Sequence, residues 1–330
     1  MRAMMRIFRT FLPPQGEGQE GGINTFKYFF NLLFKLSFFS IFLALCGCNE
    51  HLVGMFDPKG IIAYQEHKLF YDTLALMLIV VLPVIIMSIT FVYHYQVSHH
   101  IRDYKPNWSH SYFLESLWWG IPCVIIVILA TITWKKSHEL DPYNKIPGVT
   151  GTPLLIQVIA LPWKWLFIYP QQGIATVNYL EIPVGQQVEY WITTDNVPMS
   201  AFFVPQLGSQ IYTMAGMRTR LHLVADKIGV YDGMNTQFNG DGFSDMHFET
   251  HVVELAEMTR WVDNIKKSPT QLTDAAYKEL LVPADAQPPK FYSHPVPDLF
   301  DSVLMTYMNS SGPLHPRSHT REFVNFQKEQ

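Results

Sequence analysis

The segment GMNTQFNGDGFSDM, Gly233 to Met246, has the glycine spacing and closing methionine of a metal-binding loop, yet it holds neither cysteine nor histidine. A lone thioether is a weak ligand, so Met246 by itself reads as a core residue. The following MHFETH sets His247 and His251 four residues apart, on one face of a strand. Alternate positions on a half-exposed strand are commonly polar, and the pair is read as solvated surface. His99, His100 and His110 fall in a polar stretch between two apolar runs, and nothing around them supplies the second partner that a metal-bound imidazole takes. Glu115 stands at the start of the second run, in YFLESLWWGIP. A carboxylate there suits a helix N-terminus, and an ionisable group at a membrane boundary also suits proton entry. Trp163 and Trp165, in WKW, alternate and are expected on one strand face, turned to the core or to an interface. The three cysteines, Cys46, Cys48 and Cys123, all lie in the first half. The C-terminal half therefore has neither a disulfide nor a thiolate metal ligand.

The elements that must position these residues follow from composition and period. Apolar residues make up 48 % of the 330-residue chain and charged residues 16 %, well below the ~25 % charged share of soluble domains. A net charge of −4 leaves no basic surface for nucleic acid. Residues 1–47 read as a leader and signal peptide: Lys27 and Lys35 precede LSFFSIFLAL, a run too short to span a bilayer. It ends in LCGC, whose Cys48 sits as the lipidated cysteine of a bacterial lipobox. A segment at 48–72 precedes two charge-free runs, Thr73 to Tyr93 and Ser116 to Trp134, each long enough for the ~20 residues that a spanning helix needs. They are assigned as membrane helices at 73–94 and 115–135, joined by a loop at 95–114. Lipidation at Cys48 would put 48–72 and everything after the second span on the periplasmic side, and 95–114 in the cytoplasm. From 150 to 253 short strands read at LLIQVIA, VEYWIT and RLHLVA, with turn signals between them, which suggests an all-β sandwich or barrel. From Glu254 the period changes: Leu255, Met258, Trp261, Val262 and Ile265 mark one helical face. Shorter helices are expected around 274–281 and 298–308, and the Ser/His/Pro-rich 309–330 is read as a disordered tail.

Longer stretches carry a resemblance. Two spans followed by VPMSAFFVPQLGSQIYTMAGMRTRLHLVA and GVYDGMNTQFNGDGFSDMHF resemble subunit II of the haem–copper terminal oxidases, from about Cys48 to about Met308. NWSH, WKW, FIYPQQGIATVN and PDLF are similar to the quinol-oxidising branch, the cytochrome bo-type ubiquinol oxidases. The resemblance implies a two-helix transmembrane hairpin, then a cupredoxin-like Greek-key barrel with a short helical extension at 254–308. In the cytochrome c-oxidising branch this domain binds two coppers through a histidine and a loop of the form C-x-E-x-C-x-x-x-H-x-x-M. By resemblance those positions fall here at Ser200, Asn235, Gln237, Asn239, Phe243 and Met246. Both thiolates and both imidazoles are replaced.

The resemblance further implies a subunit of a proton-pumping oxidase that oxidises membrane quinol and reduces O₂ to water. No cofactor is expected on this chain; haems and copper are expected in subunit I, with subunits III and IV and membrane lipid as further partners. Glu115 falls where the family places a carboxylate at the mouth of a proton pathway, and WKW falls against subunit I near the quinol end. Two other readings differ in required ligands: a cytochrome c oxidase subunit II needs the missing cysteines, and a membrane-anchored cupredoxin-like binding protein needs a mononuclear copper set that includes one.

Overall fold

The computed structural model describes residue 54 and residues 56–94, 109–149, 151–285 and 287–308. The signal region with Cys48, the histidines at 99 and 100, and the 309–330 tail lie outside the described residues.

Helix α1 (Ile61–His94) and helix α2 (Tyr112–Glu139) contain the two apolar runs. Between the polar opening of α1 and the polar end of α2, both are apolar all round and mostly exposed, with only Ala63 and Ile125 buried in the two helices, as expected of helices that meet lipid rather than a protein core. Pro83 and Pro122 lie inside them without ending them. At 34 residues, α1 is about 51 Å long and outruns a hydrocarbon core of ~30 Å. Of the segment expected at 48–72, the part from Ile61 onward belongs to this helix. Its polar first turns stay helical because they are docked. Gly60 bridges Ala225, Lys59 N–H donates to the Gln206 carbonyl, and the Ser209 hydroxyl donates to the Glu66 carboxylate.

The rest is a sandwich of two sheets. One contains β1 (Leu154–Leu161), β2 (Lys164–Tyr169), β3 (Ile174–Val177), β5 (Val188–Thr194), β8 (Thr219–Leu223) and β11 (Lys290–Ser293), in the order β11-β3-β2-β1-β5-β8. The other contains β4 (Tyr179–Pro183), β6 (Met199–Phe203), β7 (Ile211–Met214), β9 (Gly229–Asn235) and β10 (His247–Val253), in the order β4-β10-β9-β6-β7. Pairs β1–β5 and β4–β10 are parallel and the others antiparallel. Between the sheets lie Trp165, Phe167, Tyr169, Tyr190, Phe202 and Phe248. Strand β2 has period 2 in this core, yet every one of its residues is buried. Leu166 and Ile168, on its other face, meet a second core under the C-terminal extension. A strand covered on both faces reads as one continuous apolar run, as KWLFIY largely does.

The extension comprises α3 (Leu255–Lys266), α4 (Asp274–Leu280), β11 and α5 (Leu299–Met308). Helix α3 buries Met258, Val262 and Ile265, as its period predicts, although Leu255 is exposed. The region is not wholly helical as expected: Lys290–Ser293 returns as an edge strand paired with β3. Four residues show no period of their own, and the neighbouring strand supplies the hydrogen bonds.

Candidate functional site

Loop 236–246 joins β9 to β10 and contains a 3₁₀ turn, Asp241–Asp245. Its anchors are amides. The Asn235 Oδ1 accepts from Ala201 N–H at 2.8 Å and from Gln237 N–H at 3.1 Å, while its Nδ2 donates to the Gln237 carbonyl at 2.8 Å. Asn239 is buried; its Nδ2 donates to Met246 Sδ at 3.3 Å and reaches Ser200 Oγ at 3.5 Å. Its Oδ1 is enclosed without a protein partner. Ser200 and Met246 are fully buried, Gln237 and Phe243 half-buried, and Phe238 is exposed, 5.6 Å from the Phe243 ring. Five of the six positions thus close one loop through side-chain hydrogen bonds or burial in its base, and Phe243 lines its rim.

The two tryptophans part company. Pro162 and Trp163 form the two-residue turn between β1 and β2, where Leu161 pairs with Lys164. Proline is favoured at the first central position of a type II turn, whose second takes a positive φ, and Trp163 adopts φ 59°. Its ring lies close enough on Gly242 that a Cβ there would sit 2.4 Å from Cδ2, and its indole N–H donates to the Asn239 carbonyl at 3.4 Å. Trp165 instead points between the sheets, 5.5 Å from Phe202 and 5.8 Å from Phe248. The expectation of one shared face is corrected, because the turn rotates Trp163 out of the strand's alternation. Both rings are buried within this chain. Between them, Lys164 is 2 % exposed and its ammonium donates to the carbonyls of Leu280 at 3.1 Å and Val282 at 2.7 Å. Burial, and then the nearby Lys290, lower its pKa to about 8.

Residues 266–311 match the COX Aromatic Rich Motif family. Among curated proteins, the chain is 44 % identical over 265 residues to the cytochrome bo(3) ubiquinol oxidase subunit 2 of Pseudomonas aeruginosa, covering 80 % of this chain and 78 % of the relative. It is 42 % identical to the ubiquinol oxidase subunit 2 of Acetobacter aceti, covering 83 % and 88 %. This chain belongs to the ubiquinol oxidase subunit 2 family. Among solved structures, it is similar to the periplasmic domain of subunit II of cytochrome oxidase of Bradyrhizobium japonicum, with TM-score 0.33, 23 % identity and coverage of 35 % of this chain and 95 % of that one.

For a ubiquinol oxidase subunit 2, the donor set in the loop decides what it can hold. A binuclear copper needs bridging thiolates. Here the equivalent positions carry neutral amides engaged in the loop's own hydrogen bonds. The one soft donor, Met246 Sδ, receives the Asn239 N–H. These residues do not fit that centre.

Glu115 lies in the first turn of α2 and is exposed; its backbone N–H donates to the Ser111 carbonyl, the first helical bond, and the Ser111 side chain caps nothing. An acidic group there complements the helix dipole. His110 Nδ1 lies 3.2 Å from Ser109 Oγ. His247 is exposed, whereas His251 is half-buried, stacked on Tyr179 at 4.5 Å with its Nε2 3.0 Å from Glu249. No group of three or more His, Cys, Asp or Glu able to hold a metal occurs among the described residues.

Two constellations were not legible from the sequence. Asp195 receives the Tyr277 hydroxyl at 2.5 Å and the Tyr307 hydroxyl at 2.7 Å, which ties α4 and α5 to the loop after β5. Buried Glu181 receives the Tyr179 hydroxyl at 2.9 Å, and burial pushes its pKa up. Spacings of more than 80 residues hide the Asp195 cluster, and the Tyr179–Glu181 pair is indistinguishable in sequence from ordinary strand alternation.

Proposed function

We propose that this chain is the non-redox second subunit of a proton-pumping ubiquinol oxidase, in which a partner subunit I holds the haems and copper, oxidises quinol and reduces O₂ to water. The observation that carries the reading is the amide-closed loop in a member of this family: an electron-relaying metal has no ligands there. Subunits III and IV complete the assembly, and α1 and α2 anchor the chain beside subunit I. The sandwich stands on the periplasmic side and Cys48 carries a lipid. Support for the last two points is the LCGC signal followed by two spans. The complex purified through this chain should show haem absorbance, consume O₂ with ubiquinol and leave reduced cytochrome c untouched. Oxidation of cytochrome c, or a copper–thiolate band from this chain, overturns the reading.

Glu115 feeds protons into subunit I in this reading, supported by its exposed place at a membrane-helix end. Glu115→Gln should slow quinol oxidation with haem content unchanged; an unaltered pH–rate profile assigns Glu115 to the helix dipole alone. Cys48→Ser should remove a diacylglyceryl adduct from the mass spectrum without releasing the protein, since two spans hold more firmly than acyl chains. A mature N-terminus other than Cys48 excludes the lipid anchor.

A further inference from the structure

Both membrane helices join the sandwich at the end of β8, and they do so by different means. For α1 the joint rests largely on backbone: Gly60 bridges Ala225, and Asp226 N–H donates to the Lys59 carbonyl at 2.7 Å. For α2 it rests on one imidazole. The helix ends at Glu139, and a turn follows in which Asp141 Oδ1 accepts from Tyr143 N–H at 2.9 Å and the Asp141 carbonyl accepts from Asn144 N–H at 3.0 Å. The carbonyl inside that turn, on Pro142, lies 3.0 Å from Nδ1 of His222 on β8. Ile146, just past the turn, is buried.

His222 is 4 % exposed, and a carbonyl oxygen only accepts, so its Nδ1 carries a proton. The lone pair of a neutral ring then falls on Nε2. That atom is enclosed with no hydrogen-bond partner among the described residues, and it faces Glu189 Oε2 at 3.9 Å. Two acceptors confront each other there. A bridging water does not fit, since two hydrogen bonds at a water's bond angle hold their partners about 4.4 Å apart or more. A second proton on the ring does fit, because it turns Nε2 into a donor and the contact into an ion pair. Glu189 is held ready for it: it is the register partner of His222, and its Oε1 accepts from the Trp191 indole N–H at 2.7 Å. The surrounding charges lie elsewhere. Arg218 and Arg220 stand over Trp191, 4.6 and 5.8 Å from its ring centroid, while Asp141, Tyr143 and Lys145 of the turn are exposed. Asp226 and Lys227 follow four and five residues along the chain, and neither Leu155, the β1 neighbour of Glu189, nor strand β7 carries a charge.

We propose that His222 and Glu189 form a proton-binding pair that latches the chain leaving α2 onto the sandwich. With the ring doubly protonated, one nitrogen holds the Pro142 carbonyl and the other holds Glu189, and the latch is closed. With the ring neutral, a buried lone pair beside a carboxylate draws water in, and the Pro142 contact is released. An imidazole ordinarily changes charge between about pH 5 and 8, so the latch closes on acidification and opens as the pH rises through that range. The inference rests on contacts within this chain and not on the assembly proposed above.

The test uses the full-length chain in detergent, with spin labels at exposed Tyr143 and Val230, introduced as noncanonical residues because Cys123 is exposed too. The distance distribution should be narrow at about pH 5 and about twofold broader near pH 8.5, as an untethered joint allows. His222→Asn still offers Pro142 a donor at the Nδ1 position but takes no second proton, so its width should be the same at both pH values. Glu189→Gln removes the charge at nearly constant shape and should cut the change by about half or more. A wild-type width that ignores pH, or a response that survives undiminished in either variant, overturns the pair. Should the variants fold poorly, nitrogen-15 NMR of labelled imidazoles in the wild type decides. The His222 ring should pass from doubly protonated to the Nδ1–H tautomer in step with the broadening. A ring that keeps one protonation state across the range overturns the latch.

Discussion

Lys164 is a charged group closed between the outer face of the first sheet and the C-terminal extension, tolerated because the carbonyls of Leu280, at the end of α4, and Val282, just past it, receive its ammonium. The Leu280 carbonyl lacks a helical partner of its own, as the last turn of any helix does. Lys164→Met should leave both carbonyls without this donor, at a cost of about 1–3 kcal/mol, read as a lower thermal midpoint. The pH dependence has a definite sign. With the folded-state pKa lowered to about 8 from 10.5, the unfolded chain holds a proton across that window that the folded chain has released. Unfolding free energy from this group therefore rises with pH between those values and is flat below. The rise should vanish in Lys164→Met; an identical slope in both proteins excludes Lys164 as its source. Asn235 is the other decisive residue. Asn235→Ala strands the N–H groups of Ala201 and Gln237 and should destabilise the loop by about 1–3 kcal/mol, seen as faster amide exchange over 236–246. Protection equal to the wild type would mean that the burial of Met246 alone holds the loop.

At the scale of elements, the β1–β2 turn and the β9–β10 loop behave as one unit. A tryptophan at positive φ is strained by roughly 1–3 kcal/mol, and the compensation is its contact with Gly242 and the Asn239 carbonyl. Gly242→Ala drives a methyl into the Trp163 ring and the Asp285 carboxylate, and Trp163→Gly relieves the ring clash and the backbone. A double-mutant cycle should show coupling of about 0.5–3 kcal/mol, the double variant being less impaired than the sum of the singles. Strict additivity would separate the two segments. The C-terminal extension behaves as a lid on the outer face of the first sheet. Its helices cover Leu166, Ile168 and Val177 and are fastened by the two phenols on Asp195. Burial above all, and then Asp195, push the Tyr277 pKa well up, so the phenol stays a donor at any ordinary pH. Tyr277→Phe with Tyr307→Phe should loosen α4 and α5 while β1 and β5 stay protected in hydrogen exchange. Uniform loss of protection would show that lid and sandwich unfold together.

For the whole molecule, the junction of α1 with the sandwich sets how a membrane anchor carries a β domain. The Gly60–Ala225 bridge, the backbone bonds of Lys59 and Ala63 to Gln206 and Leu207, and the Glu66–Ser209 contact leave no free linker there. Backbone pairing at both ends of a joint removes the hinge that domain linkers normally supply. Spin labels at exposed Tyr64 and Ile228 should give one narrow distance distribution, broadened by Glu66→Ala. A broad distribution in the parent protein would show a flexible joint.

What residue identity alone determined is what no fold can add. Two charge-free runs of spanning length demand lipid, the amphipathic period of α3 demands a core beside it, and a loop without thiolates cannot bridge two coppers. What remained for tertiary structure depends on residues remote in the chain. Trp163 meets Asn239 across 76 residues and Lys164 meets Leu280 across 116. Strand β11 exists because β3 offers an edge, and α1 starts at Ile61 because the sandwich holds its first turns. The turn at Gly216 meets Tyr307 only once α5 docks on it. Period and propensity act over a few residues, whereas burial and hydrogen-bond satisfaction are settled by whichever segments folding brings together.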